Sequence, residues 1–258
     1  MFKGEWHLSR ARGAKAQRRQ AQQSQLHQHV VENTINFRPQ VAPKSRPIEL
    51  RPKSMGQERL VLSLLDDATV ITVALGPAGT GKSYLAMLAA IRALRQGDCE
   101  RIVLTRPAVG VDDEKHGFLP GDLNAKMEPW TRPLLDILRE FYHPREIVKM
   151  LEDQVIEISP LAFMRGRTFK NAWIVADEMQ NATPSQMKML LTRLGESSRI
   201  AVTGDVEQTD RSTDNNGLLD LAARLQDQAV AGLDVCYLGL GDIQRHPMIG
   251  SILSLYQD

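Results

Sequence analysis

The chain has 258 residues, 42% of them apolar and 24% charged, the composition of an ordinary globular protein. A chain of this length can bury a core without disulfides or structural metals. Two cysteines, Cys99 and Cys236, are too few for a disulfide framework or a four-thiolate site. The longest apolar stretch, residues 68–75 with Thr69 and Thr72 inside it, is far too short to span a bilayer, and no apolar segment follows the basic N-terminus as in a secretory leader. Membrane, disulfide-scaffold and fibrous classes are excluded on this reading, and the expected compartment is the cytoplasm.

The net charge of +1 hides an asymmetry. Residues 1–60 carry 12 Lys/Arg against 4 Asp/Glu, whereas the remaining 198 carry 20 against 27. A basic, apolar-poor head on a mildly acidic body reads as a tail joined to a domain. Residues 10–28 are rich in Gln and Arg and contain one large apolar residue, Leu26, so they cannot bury enough surface to fold alone. Residues 36–52 carry Pro39, Pro43, Pro47 and Pro52 between basic residues and read as an extended strap. Residues 1–49 are therefore expected to be a disordered or extended arm and linker, and 50–258 the folded domain.

Within that domain the pattern alternates. Residues 70–75 form a β-branched run and predict a buried strand. A helix over 82–95 ends near Gly97, and strands are expected at 101–105, 155–158, 172–176, 200–203 and 235–238. Helices are expected over 130–142 and 218–225. One more begins after Thr183, with Pro184 at its first position, Gln186 completing a capping box and Gly195 as its stop. Strands alternating with helices predict an α/β fold with a mostly parallel sheet covered by helices on both faces.

Gly76-Pro77-Ala78-Gly79-Thr80-Gly81-Lys82-Ser83 fits G-x-x-x-x-G-K-[ST] at every fixed position, after an expected strand and before an expected helix. Its glycines let successive backbone N–H groups face an anion, and the helix N-terminus adds positive potential. Lys82 is placed for β/γ-phosphates and Ser83 for Mg²⁺. The alternative, a glycine-rich turn with an incidental Lys, ignores both context and spacing. Asp177 follows the strand 172–176, where a carboxylate can hold Mg²⁺ in a P-loop enzyme. Glu178, directly after it, is placed to orient or deprotonate water, which favours hydrolysis over transfer to a small acceptor.

Thr203-Gly204-Asp205 ends the next strand, and Gln208 in the loop beyond can contact the γ-phosphate or the attacking water; alone, Gly-Asp is also simply a turn. Arg245-His246-Pro247 opens the last expected helix. Arg245 either caps the surface or reaches a γ-phosphate, in its own site or a neighbour's. Thr105-Arg106-Pro107 and Arg165-Gly166-Arg167-Thr168 are basic elements near strand ends, read either as solvated surface or as contacts to a nucleic-acid backbone or another subunit. His27 and His29 lack ligand neighbours for a metal site. Thirteen aromatic residues in all argue against a base-stacking platform.

Assembled, these residues resemble the PhoH-like protein family of P-loop ATPases. The carrying segments are GPAGTGKSYLA (76–86), VLTRPAV (103–109), GFLPGDLNAKMEPWTRPL (117–134), FMRGRTFKNAWIVADEMQNATPSQMKMLLTRLG (163–195), VTGDVEQTD (202–210) and RHPMI (245–249). The resemblance implies a RecA-like P-loop core similar to the first motor domain of superfamily 1 helicases, with the Thr203 strand between the P-loop and Asp177 strands. It implies that Gln57 contacts adenine, that the cradle of residues 76–83 extends to Tyr84, and that Arg245 is the arginine of the motor motif. It also implies ATP and Mg²⁺ as ligands, a ring-shaped homo-oligomer such as a hexamer, and a link to RNA or single-stranded nucleic acid. Met179 stands where the family usually has Ala. The rival reading is a nucleic-acid-binding, RNA-processing factor in which nucleotide is a structural switch. A weaker one is a small-molecule kinase, which gains nothing from a water-directed Glu178.

Overall fold

The computed structural model describes residues 47–107, 132–207, 215–244 and 248. The expectations for the basic arm, for Trp130, for Gln208 and for Arg245-His246-Pro247 lie outside the described residues. In chain order the elements are α1 (Met55–Leu65), β1 (Ile71–Leu75), α2 (Lys82–Gln96), β2 (Arg101–Thr105), α3 (described over 132–139), α4 (Pro144–Glu152), β3 (Ile156–Ile158), β4 (Ala172–Ala176), α5 (Pro184–Leu191), β5 (Arg199–Gly204), α6 (Gly217–Asp227) and β6 (Leu233–Tyr237).

Among the described residues, six strands form one sheet in the order β3-β2-β4-β5-β1-β6, and every neighbouring pair is parallel. β5, which carries Thr203, lies between β1 and β4 as the family resemblance implies. Parallel strands need crossovers, and helices supply them on both faces. Because successive strand residues point to opposite faces, Val73 and Leu75 pack on one side with Met187, Leu190 and Leu218 of α5 and α6. Ala74 packs on the other with Leu60, Leu64, Met87 and Ile91 of α1 and α2, joined there by Leu134, Leu138 and Ile147 of α3 and α4. β4 is buried at all five positions, which is why AWIVA shows no polar alternation.

Helix ends follow local chemistry. In α2 the small residues Ala86, Ala89, Ala90 and Ala93 are all buried, and Gly97 stops the helix in the left-handed conformation. In α5 the Thr183 hydroxyl accepts from Gln186 N (3.2 Å) and the Gln186 side chain accepts from Thr183 N (2.9 Å), the expected reciprocal cap.

The expected stop at Gly195 is corrected: α5 ends at Leu191, where the Thr192 hydroxyl donates back to the Lys188 and Met189 carbonyls (3.0 and 2.8 Å). Gly195 serves a close crossing instead, since a Cβ there would lie 2.2 Å from the Phe169 carbonyl oxygen. The expected helix over 130–142 is shorter at its end, stopping by 139, and Pro144 opens a separate helix, α4, capped by His143 and Glu146. α1 has no counterpart in the sequence expectations. It begins at Ser54, whose hydroxyl accepts from Gln57 N (3.3 Å).

Candidate functional site

The chemical motifs meet at the carboxyl edge of the sheet. The P-loop follows β1, Arg106 follows β2, Asp177 follows β4 and Asp205 follows β5. In open α/β sheets this is the edge where ligands bind.

The P-loop is braced by the protein on several sides. Gly76, Gly79 and Gly81 have φ of 149°, 86° and 82°, conformations that favour glycine. At Gly76 a Cβ would lie 2.3 Å from the Leu238 carbonyl oxygen, so the residue just after β6 presses directly on the loop. Three further groups brace it: Gln57 Nε2 donates to Thr80 O (2.9 Å), Gln244 N donates to Gly79 O (2.9 Å), and Ala78 N donates to Asp205 Oδ2 (3.0 Å). Thr80 Oγ1 closes the turn on Pro77 O (2.8 Å). Lys82 is buried, and its Nζ donates to the Gly76 and Pro77 carbonyls at 2.5 and 2.7 Å. A phosphate offers that ammonium charged acceptors in place of neutral carbonyls, a stronger hydrogen bond.

Gln57 is buried, with its side-chain oxygen accepting from Lys53 N (2.8 Å) while its amide holds the loop. In this structure it is a strut under the P-loop. Tyr84 faces outward on α2, where its hydroxyl donates to Glu140 Oε2 (3.0 Å).

Ser83 Oγ and Thr203 Oγ1 both donate to Asp177 Oδ1, each at 2.6 Å, and lie 3.4 Å from one another. Asp177 is 6% exposed. This trio of hard oxygens fits Mg²⁺, which takes one or two protein ligands and completes its shell with water and substrate phosphates. Among the described residues no group of three His, Cys, Asp or Glu converges for a softer or fully protein-bound metal.

Glu178 adopts the left-handed region (φ 54°, ψ 38°) although it is not glycine, a strain that an active site commonly stores. Its Oε2 accepts from Gln180 Nε2 (2.5 Å), and its Oε1 lies 3.6 Å from Arg106 Nη2. The two basic elements therefore separate. Arg106 turns into the site, toward Glu178. Arg167 is engaged by Glu157, by Ser159 Oγ (3.3 Å) and by the Phe169 ring (4.5 Å), and so ties the β3 and β4 approaches together. The structure thus brings together residues 76–83, Asp177 and Glu178, and places Tyr84 at the rim.

Sequence reasoning missed Gln180, the Thr203 hydroxyl as a partner of Asp177, and Asp205 as a brace of the P-loop. Gln180 carried a signal of sorts: a polar residue two positions past the Asp-Glu pair, in a short turn that returns to the next strand end.

The family model described as "PhoH-like protein" matches residues 49–257. A PhoH-like protein of Synechocystis sp. is 48% identical over 187 residues, covering 72% of this chain and 56% of that protein. One from Bacillus subtilis is 40% identical over 220 residues (85% and 68%), and the Escherichia coli K12 protein PhoH is 40% identical over 163 (62% and 46%). The chain thus spans about half to two thirds of these relatives' own lengths. The solved helicase domain of Pyrococcus furiosus Hef aligns at a TM-score of 0.44 and 12% identity, over 75% of this chain and 39% of that one. With the P-loop, the Asp-Glu strand end and the family match all falling within residues 49–257, the chain belongs to the PhoH-like protein family.

Proposed function

We propose that this protein binds ATP with Mg²⁺ and hydrolyses its β–γ bond. The observation that carries the reading is the convergence of three chemistries on one sheet edge: a phosphate cradle with a buried lysine, a hydroxyl–carboxylate cluster suited to Mg²⁺, and a second carboxylate beside it. Ser83 and Asp177 hold the metal, which when bound supplies neutralising charge at the β/γ-phosphates. Lys82 and the loop amides bind and orient those phosphates. Glu178 accepts the proton of the attacking water as its oxygen bonds to the γ-phosphorus and the bridging oxygen leaves with ADP. Gln208 senses the γ-phosphate in this reading, and Gln57 keeps an amide hydrogen and an acceptor lone pair for the adenine edge.

The protein acts on or with RNA, supported by the basic excess of residues 1–60. It works as a ring homo-oligomer, such as a hexamer, in which Arg245 completes a neighbour's site. The cytoplasm is its compartment, in keeping with two free buried thiols.

Phosphate release from full-length protein, with and without RNA, tests the reading. Glu178→Gln should retain binding of an ATP analogue and lose about 100-fold or more in turnover, because Gln still hydrogen-bonds water yet takes no proton. Parental turnover in that variant overturns the role. Mixing inactive Arg245→Ala with inactive Lys82→Ala protein should restore part of the activity if sites are shared. Without rescue, Arg245 does not serve a neighbour.

A further inference from the structure

Gln180 is 1% exposed and belongs to none of the phosphate- or metal-binding groups. Its side chain nevertheless joins them. The amide nitrogen donates to Glu178 Oε2 (2.5 Å), while the amide oxygen accepts from Asp205 N (3.1 Å). Asp205 in turn accepts from Ala78 N of the P-loop through Oδ2 (3.0 Å). A continuous line of hydrogen bonds therefore runs from a P-loop amide through Asp205 and Gln180 to the carboxylate of Glu178.

The neighbouring residues are fitted to this line. Gly204 sits in extended sheet, where any residue could stand. A Cβ there, however, would lie 2.7 Å from Gln180 Oε1 and 2.5 Å from Leu218 Cδ2. Glycine at 204 makes room for the amide. Buried amides are costly unless both ends are paired, and here the pairing fixes the amide's orientation: Oε1 toward a backbone donor, Nε2 toward the carboxylate. Glu178 needs such a hold because it leaves the strand in a left-handed conformation with a half-exposed side chain. Arg106 approaches its other oxygen from the β2 side at 3.6 Å. Each carboxylate oxygen keeps a second lone pair, so a water can be engaged without breaking the Gln180 bond.

We propose that Gln180 is a positioning residue that sets the carboxylate of Glu178 and couples it to the P-loop through Asp205. This rests on Glu178 being the proton acceptor of the hydrolysis proposed above. Occupation of the loop by phosphates competes for the Ala78 N–H, and a shift of Asp205 reaches Glu178 by way of one amide. The base is then aligned when nucleotide is present.

Two variants test it in the full chain. Gln180→Glu keeps the side chain's size and its acceptor for Asp205 N, but it loses the donor to Glu178. Gln180→Met keeps the size and loses both bonds. Both should bind a non-hydrolysable ATP analogue within about threefold of the parental protein and lose about 10- to 100-fold in kcat, the cost of a misplaced catalytic group, with KM little changed. In the Glu178→Gln background, the same substitutions should alter residual turnover by less than about twofold, because a residue acting through Glu178 has nothing left to position.

A folded Gln180→Glu protein with parental kcat overturns the proposal. So does a penalty that persists in full without Glu178, which marks a merely structural amide. If Gln180→Met does not fold, the Gln180→Glu pair of measurements decides alone. Failure of the ATPase reading looks different: the parental chain itself then releases no phosphate from ATP and Mg²⁺, and both proposals fall together.

Discussion

The two ends of the sheet both hold charged groups, half-buried Arg199 at the amino end and buried Lys82 and Asp177 at the carboxyl end, and they satisfy them in opposite ways. At the amino end, Arg199 at the start of β5 donates to backbone carbonyls: Thr69 O at 2.6 and 2.9 Å, Leu64 O at 3.5 Å, and Asp66 O. Its guanidinium also lies 5.1 Å over the Trp173 ring. These carbonyls belong to the end of α1 and the turn into β1, where a helix leaves acceptors without intrahelical donors. At the carboxyl end, Lys82 rests on loop carbonyls, Asp177 on two hydroxyls, and Glu178 on Gln180 and Arg106. The partners of Arg199 are fixed parts of the fold. Those of Lys82 and Asp177 are groups that phosphate oxygens and a divalent cation can replace. A charge held by many hydrogen bonds therefore does not by itself distinguish a structural from a functional residue, whereas the exchangeability of the partner does.

The sharpest way to break this contrast is to remove one charge at each end. Lys82→Ala should weaken ATP binding by about 100-fold or more, since it deletes the ammonium aimed at the phosphates. Its melting temperature without nucleotide should stay within about 3 °C, because the group lost was resting on replaceable acceptors. Calorimetric titration with an ATP analogue, together with thermal melts, reads both quantities. Retained affinity would remove Lys82 from the site.

Arg199→Ala should show the reverse. Loss of several hydrogen bonds and the Trp173 contact should destabilise the protein by about 1–3 kcal/mol, with analogue affinity unchanged within about twofold. Burial pulls this guanidinium below its ordinary pKa, with Asp67, Asp66 and Asp98 acting the other way. It remains charged at any working pH, so its anchoring is insensitive to pH. Denaturant melts that match the parental curve would overturn the anchoring role.

Much of this difference was legible in the sequence at the carboxyl end and little of it at the amino end. Residues 76–83 announce themselves because a phosphate cradle needs glycine and lysine at fixed spacing, and AWIVA followed by Asp177 and Glu178 marks a buried strand ending in charge. The capping box at Thr183 and Gln186 was equally readable, being a local hydrogen-bond pattern. Arg199 carries no local signal, because its partners lie about 130 residues away in the chain. The same holds for Arg106, whose partner Glu178 is brought alongside only by the pairing of β2 with β4. Arg167 had the same look as Arg106 in sequence yet pairs with Glu157, which only the fold sets beside it. α1 was missed because residues 36–52 read as a proline strap, and the helix starts directly after it.

The smallest expected effect uses the two cysteines as reporters. Cys99 precedes β2 at the amino end of the sheet, whereas Cys236 lies on the edge strand β6, paired with Ala74, two residues before Leu238 presses on Gly76. Burial pushes each thiol up from 9.0 to about 11, with the charges of Asp98 and Asp234 adding to the effect. The folded state therefore holds protons that the unfolded chain releases between about pH 9 and pH 11. Stability should fall as pH rises through that window, and replacing both cysteines by Ala should flatten the fall. At pH 8 the folded thiols are almost wholly protonated, so alkylation proceeds through openings of the structure rather than from the native state. Nucleotide binding fixes the P-loop against β6 and should slow labelling at Cys236 by several-fold, while Cys99, on the far end of the sheet, changes less. Mass spectrometry of each labelled peptide, with and without an ATP analogue, measures the ratio. Equal protection at both sites would mean that nucleotide stabilises the sheet as a single unit, and that the two ends differ in chemistry but not in their coupling to the ligand.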